Sequence, residues 1–108
     1  MNTYSDVPLR GTFFRTPTDR AFAEAMSEGL ELSLLREPEN EHDGNAIKVL
    51  FTDPENETFT IHLGYVAREI AAWIAPELDA GNDYTCFLTS IDRSGKSAKY
   101  ELIITTDA

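Results

Sequence analysis

Two histidines, one cysteine and a run of acids are the residues of this 108-residue chain with the most chemistry to offer. Nucleophilic catalysis would need Cys86 beside a histidine. Cys86 lies between Thr85 and Phe87 in a stretch that reads as a strand, where a thiol is ordinarily buried and inert. His62 alternates on another expected strand, where a satisfied or solvent-facing imidazole is the plain reading. Gly95, Lys96 and Ser97 imitate the end of a phosphate-binding loop, yet the glycine required five residues earlier is Ser90, and the motif joins two strands instead of opening a helix. The loop from Glu39 to Gly44 carries oxygen donors at alternate positions, with glycine sixth, as a calcium loop does. Its twelfth position is Leu50 where a bidentate Glu belongs, so it supplies no dedicated cation site. No catalytic set, metal centre or cofactor emerges, and the chain reads as a non-enzyme.

Composition narrows the class. Nine Lys and Arg against nineteen Asp and Glu leave a formal charge of −10. Sequence-independent binding to nucleic acid rests on many Lys and Arg neutralising phosphates, so a long electrostatic footprint is excluded. An anionic membrane surface is equally disfavoured. The hydrophobic fraction of 42% can supply one core, and a chain of this size buries roughly 60 to 70% of the surface its unfolded form exposes. No apolar run approaches the ~20 residues of a membrane span, and Met1 to Leu9 is too polar for a signal peptide. With a single thiol and no possible internal disulfide, these features lead us to expect a soluble, cytoplasmic, single-domain protein. Oligomeric state is left open.

The positioning elements follow from pattern. Val7 to Arg15 reads as a first strand in which Phe13 and Phe14 point to opposite faces, so only one of them can be exposed. Thr16 as N-cap, Pro17 at the first helical position and Asp19 in the first turn open a helix. Its apolar face is Ala21, Phe22, Ala25 and Met26, and Gly29 stops it. Leu30, Leu32 and Leu34 alternate as a strand, and Arg36 to Gly44 is a structured polar loop. Ala46 to Phe51 and Phe59 to Gly64 form a hairpin around the turn Asp53 to Asn56. Helical spacing then takes over at Val66, Ile70, Trp73 or Ile74, and Leu78, with Trp73 assigned to the core and Pro76 expected to kink or split the last turn. Tyr84 to Ile91 and Lys99 to Thr105 make a final hairpin. This is a mainly β, α+β chain of six strands and two short helices, one unit from Val7 to Thr106, with residues 1–6 and 107–108 as frayed ends.

The run Leu34-Leu35-Arg36-Glu37-Pro38-Glu39-Asn40-Glu41-His42-Asp43-Gly44-Asn45-Ala46-Ile47-Lys48-Val49, followed by Leu63-Gly64-Tyr65-Val66-Ala67-Arg68-Glu69-Ile70-Ala71, strongly resembles the HIRAN domain family. Upstream, Gly11-Thr12-Phe13-Phe14 is similar to the family's glycine and aromatic first strand. The resemblance covers nearly the whole chain. It implies a small OB-like or SH3-like barrel and a non-enzymatic module that recognises single-stranded DNA, with the 3′-hydroxyl end held in a pocket.

By the same resemblance, Asp43 would accept a hydrogen bond from the 3′ hydroxyl, and Phe14 and His42 would occupy the base-stacking positions. Asn40 would bond the end nucleotide or fix the loop, and Tyr65 and Arg68 would meet phosphates. Phe13 stands where the family has a basic residue, leaving Arg15 or Arg10 to supply that charge. Structural readings stay open beside these: Arg36 pairing with an acid, and Asn40, Asp43 and Asn45 bracing a tight loop. A DNA repair or replication setting is implied, with a separately encoded helicase or nuclease as an open partner. The alternative is an acidic protein-interaction adaptor that keeps the fold without binding DNA.

Overall fold

The computed structural model describes residues 1–107. It contains β1 (Asn2–Arg10), a 3₁₀ turn (Thr12–Phe14), α1 (Pro17–Glu24), β2 (Ser33–Arg36), β3 (Ile47–Asp53), β4 (Asn56–Val66), α2 (Arg68–Asp79), β5 (Tyr84–Asp92) and β6 (Lys99–Thr106). The six strands form one sheet in the order β2-β3-β4-β1-β6-β5, with every neighbour antiparallel. The sheet curls until its two edges meet. Residues just before β2 bond to β5 through Leu88 N to Leu30 O (2.9 Å) and Leu32 N to Cys86 O (2.8 Å), and Glu31 bridges Phe87. This seam is short, so the sheet is barrel-like without being closed by a full ladder.

Alternation of side chains explains the core. In β6, Tyr100, Leu102, Ile104 and Thr106 point inward, and Ile47 and Val49 of β3 meet them with Ile61 and Leu63 of β4. Ala71, Ile74 and Ala75 lay α2 on this core, where small residues allow a close approach. Trp73 lies one residue, about 100°, around the helix from Ile74. It is 60% exposed, so Ile74 fills the core place assigned to the tryptophan. Pro76 sits inside one continuous helix that ends three residues later at Asp79, so the expected split does not occur, and the missing N–H forgoes one bond, to the Ala72 carbonyl.

The ends of the first strand also differ from expectation. Residues 2–6, read locally as a frayed polar end, pair with the last strand through Asn2 to Thr106, Thr3 to Thr105 and Tyr4 to Ile104. The Asn2 amide and the Tyr4 hydroxyl both donate to Glu77 of α2, at 2.8 Å for Tyr4. These partners lie more than seventy residues away in sequence, beyond the reach of local pattern. At its other end β1 stops at Arg10, because Gly11 turns the chain at φ 81° into the 3₁₀ turn. Phe13 and Phe14 therefore do not alternate across a strand, and both are exposed, at 60% and 85%. Thr16 caps α1 as expected, its hydroxyl accepting from Asp19 N at 3.1 Å.

Candidate functional site

The loop between β2 and β3 is built around two side chains. Arg36 donates to Ala46 O (2.8 Å) and Gly44 O (2.9 Å) and pairs with Asp79 of α2 at 2.9 Å. A planar guanidinium fork suits such convergent acceptors, and it ties the far end of the loop to α2. Asn40 braces the near end: its Oδ1 accepts from His42 N (2.9 Å) and Asp43 N (3.0 Å), and its Nδ2 donates to Glu37 (2.5 Å). Asp43 Oδ1 then accepts from Asn45 N at 2.9 Å. The bracing roles read from the sequence are real, and they present His42 and Asp43 in fixed positions.

Tyr65, at the end of β4, and Arg68, at the start of α2, face this loop. Arg68 approaches Asp43 Oδ2 at 3.9 Å and donates to His42 O at 3.3 Å. Tyr65 OH donates to Glu37 at 3.1 Å, while the other Glu37 oxygen pairs with Lys48 Nζ at 3.0 Å. Hydrogen bonds from Asn40 and Lys48 hold the Glu37 carboxyl below the usual carboxylate range, and burial together with the Glu37 contact pushes the Tyr65 phenol up. Glu37 is thus an ionised acceptor that orients one residue of the loop and one of β4.

A cavity of about 370 Å³ opens among these groups. Asn40, His42, Asp43, Tyr65 and Arg68 line it together with Arg10, over a floor of Ala46 and Val66. Five sequence-derived candidates therefore converge. The other two stand apart: Phe14 projects into solvent from the 3₁₀ turn, and Arg15 is engaged by His62 O (3.0 Å) and Asp19 (3.0 Å). Arg10 supplies a basic wall in place of Arg15, and its sequence signal is its position as the last strand residue before Gly11.

β4 reaches β1 at this wall through a very close approach. Gly64 has φ 144°, and a Cβ there would lie 2.3 Å from the Arg10 carbonyl oxygen. Glycine at 64 is what lets Tyr65 pair with Arg10 in the ladder and places both at the cavity. His62 lies beside it, with Nε2 3.1 Å from Gly64 O and its ring edge-on to Tyr65. Burial, then Arg15, lowers its basicity, so His62 acts as packing. The Cys86 thiol is buried, which pushes it up to about 12. Gly95-Lys96-Ser97 lies in the turn between β5 and β6. Among the described residues no cluster of three or more His, Cys, Asp and Glu could hold a metal ion.

Comparison with known proteins gives concordant results. The chain is 46% identical over 54 residues to a Fanconi-associated nuclease 1 homolog from Oryza sativa subsp. japonica; that match takes in 50% of this chain and only 5% of the length of the relative. The crystal structure of the HIRAN domain of human HLTF superposes with a TM-score of 0.68 at 19% identity, covering 97% of this chain and 74% of that one. A crystal structure of a protein from Lactobacillus plantarum gives a TM-score of 0.70 at 24% identity, covering 95% and 96%. The HIRAN domain family model matches residues 4–102, and HIRAN domains are known generally as DNA-binding domains. The chain belongs to the HIRAN domain family.

Proposed function

We propose that this protein is a non-enzymatic module that binds single-stranded DNA by its 3′-hydroxyl end in the cavity between the β2–β3 loop and the start of α2. The observation that carries this reading is the convergence of one carboxylate, two arginines and two aromatic rings on one small concavity. Asp43 has Oδ1 occupied by Asn45 N, while Oδ2 meets only the long contact to Arg68. That oxygen is the acceptor for a terminal hydroxyl. A 3′-phosphate in its place would set like charges a few ångströms apart, costing on the order of 1 kcal/mol or more at a surface dielectric. Tyr65 OH already donates to Glu37, so the phosphates fall to Arg10 and Arg68, and Tyr65 contributes its ring as a wall. His42 offers a face for a base at the cavity, a stacked base being worth about 1 to 3 kcal/mol, and the exposed Phe14 offers one outside it.

Among the described residues two cations, Arg10 and Arg68, line the cavity, few enough to make end recognition compatible with a charge of −10. The likeness to a rice Fanconi-associated nuclease homolog supports a DNA-repair setting with a nuclease as the working partner. The test is fluorescence anisotropy at low salt with one short oligonucleotide ending in a 3′ hydroxyl or a 3′ phosphate. The hydroxyl form should bind severalfold more tightly, and Asp43→Ala should erase the difference. Equal or undetectable binding of both forms refutes end recognition and favours the acidic adaptor.

A further inference from the structure

The chain has nine Lys and Arg. Four of them are consumed by the fold: Arg15 by Asp19 and His62 O, Arg36 by Asp79, Lys48 by Glu37, and Arg93 by the carbonyls of Glu24 and Met26. Arg68 is only loosely paired, Arg20 lies 5.2 Å over the Phe13 ring, and Arg10, Lys96 and Lys99 make no salt bridge among the described residues. These five cations all line confluent cavities. Arg10 borders both the end pocket and a groove of about 510 Å³ that also takes in Phe13 and Lys99. Phe13 and Tyr100 belong both to that groove and to an adjoining cavity of about 160 Å³ that holds Arg20 and Lys96. Glu24, Asp92 and Glu101 line the same walls, so the track is narrow and mixed in sign.

We propose that a single strand seated by its 3′ end in the pocket continues past Arg10 along the groove between the 3₁₀ turn and the β5–β6 hairpin, with Lys99, Lys96 and Arg20 on its phosphates and Phe13 under a base. The inference rests on the end-binding reading and extends it to the nucleotides 5′ of the end. A strand held by its terminus must leave the pocket somewhere, and the shared wall at Arg10 is where the uncommitted cations continue. Phe13, 60% exposed and braced by Arg20, presents a face that nothing in the core requires.

The experiment compares a dinucleotide with an octanucleotide, both ending in a 3′ hydroxyl, across a salt series. The octanucleotide should bind roughly tenfold more tightly or better, the worth of one stacked base. Its log-log salt slope should be steeper by about 2, from ~0.7 for each of three phosphates on a single strand. Lys96→Ala with Lys99→Ala should remove most of this gain, as should Phe13→Ala, while the preference for a 3′ hydroxyl over a 3′ phosphate persists. Circular dichroism checks that the variants remain folded. Equal affinity for the two lengths, or a gain that survives both variants, overturns the groove. A length-dependent gain without any 3′-hydroxyl preference supports the groove and refutes the end pocket, and no binding at any length refutes both.

Discussion

Replacing Gly64 by alanine puts a methyl group 2.3 Å from the Arg10 carbonyl oxygen, 3.3 Å from its carbon and 3.2 Å from Thr12 Oγ1. Two of these are backbone atoms of the neighbouring strand, so no flexible side chain can yield. The strands must part by about 1 Å, an overpacking cost of roughly 1 to 3 kcal/mol. The φ of 144° adds strain of about 1 to 3 kcal/mol for a residue with a Cβ. The sum, about 2 to 6 kcal/mol, is a large part of the 5 to 15 kcal/mol that stabilises a typical domain. Gly11 is an internal control. Its φ is 81°, but nothing lies within 4 Å of an added Cβ, so Gly11→Ala should carry only the conformational cost of about 1 to 2 kcal/mol. At roughly 4 to 8 °C per kcal/mol, calorimetry should find Gly64→Ala melting at least about 8 °C below the parent and further below it than Gly11→Ala, whose drop should be about 4 to 16 °C. Because Arg10 and Tyr65 pair across this contact and both line the pocket, Gly64→Ala should also weaken DNA-end binding below its melting point. Equal melting temperatures for the two variants would refute the steric argument.

Glu37→Gln keeps the shape of a residue that organises Asn40 and Tyr65 but releases Lys48; we expect severalfold weaker binding of a 3′-hydroxyl oligonucleotide, about 1 kcal/mol, with the hydroxyl preference intact. Unchanged affinity in the same titration counts against the positioning role. At Glu77, burial pushes the carboxyl up, but hydrogen bonds from Asn2, Tyr4 and Thr106 outweigh it and leave the group below its usual value of 4.5. The unfolded chain then binds the proton more readily, so this contribution is present above about pH 4.5 and lost as pH falls through the folded value. The difference in melting temperature between the parent and Glu77→Gln should therefore be largest near neutrality and shrink in acid. A difference independent of pH contradicts the linkage.

Much of the site could be read because it is local in sequence. Arg36 to Asn45 forms its own hydrogen-bonded loop, and Asn, Asp and Gly at those spacings announce side-chain to backbone bracing. The helix opening at Thr16 and Pro17 was legible for the same reason. What could not be read depends on partners distant in the chain. Nothing within residues 2–6 signals that β6 and Glu77 will receive them. The two phenylalanines fit a strand period, and only the reversal at Gly11 turns both outward. Trp73 and Ile74 both fit the helical spacing of the apolar face, and the choice between them is made by the alanines that bring α2 against the sheet. Arg15 and Arg10 flank the same turn, and tertiary acceptors at His62 and Asp19 decide which of them is left for the pocket.

The strand order carries a consequence for how the molecule is made. β1 precedes the other five strands in this sequence, yet in the sheet it lies between β4 and β6, and Asn2 closes against Thr106. The β2–β3–β4 meander can pair as it leaves the ribosome, whereas β1 must wait for chain some sixty to a hundred residues downstream, with loop entropy opposing each closure until then. This sheet is therefore completed only when β6 arrives. A chain shortened by the eight residues of β6 would leave β1 with an open edge next to buried Val7 and Leu9, a template for aggregation rather than a smaller working domain.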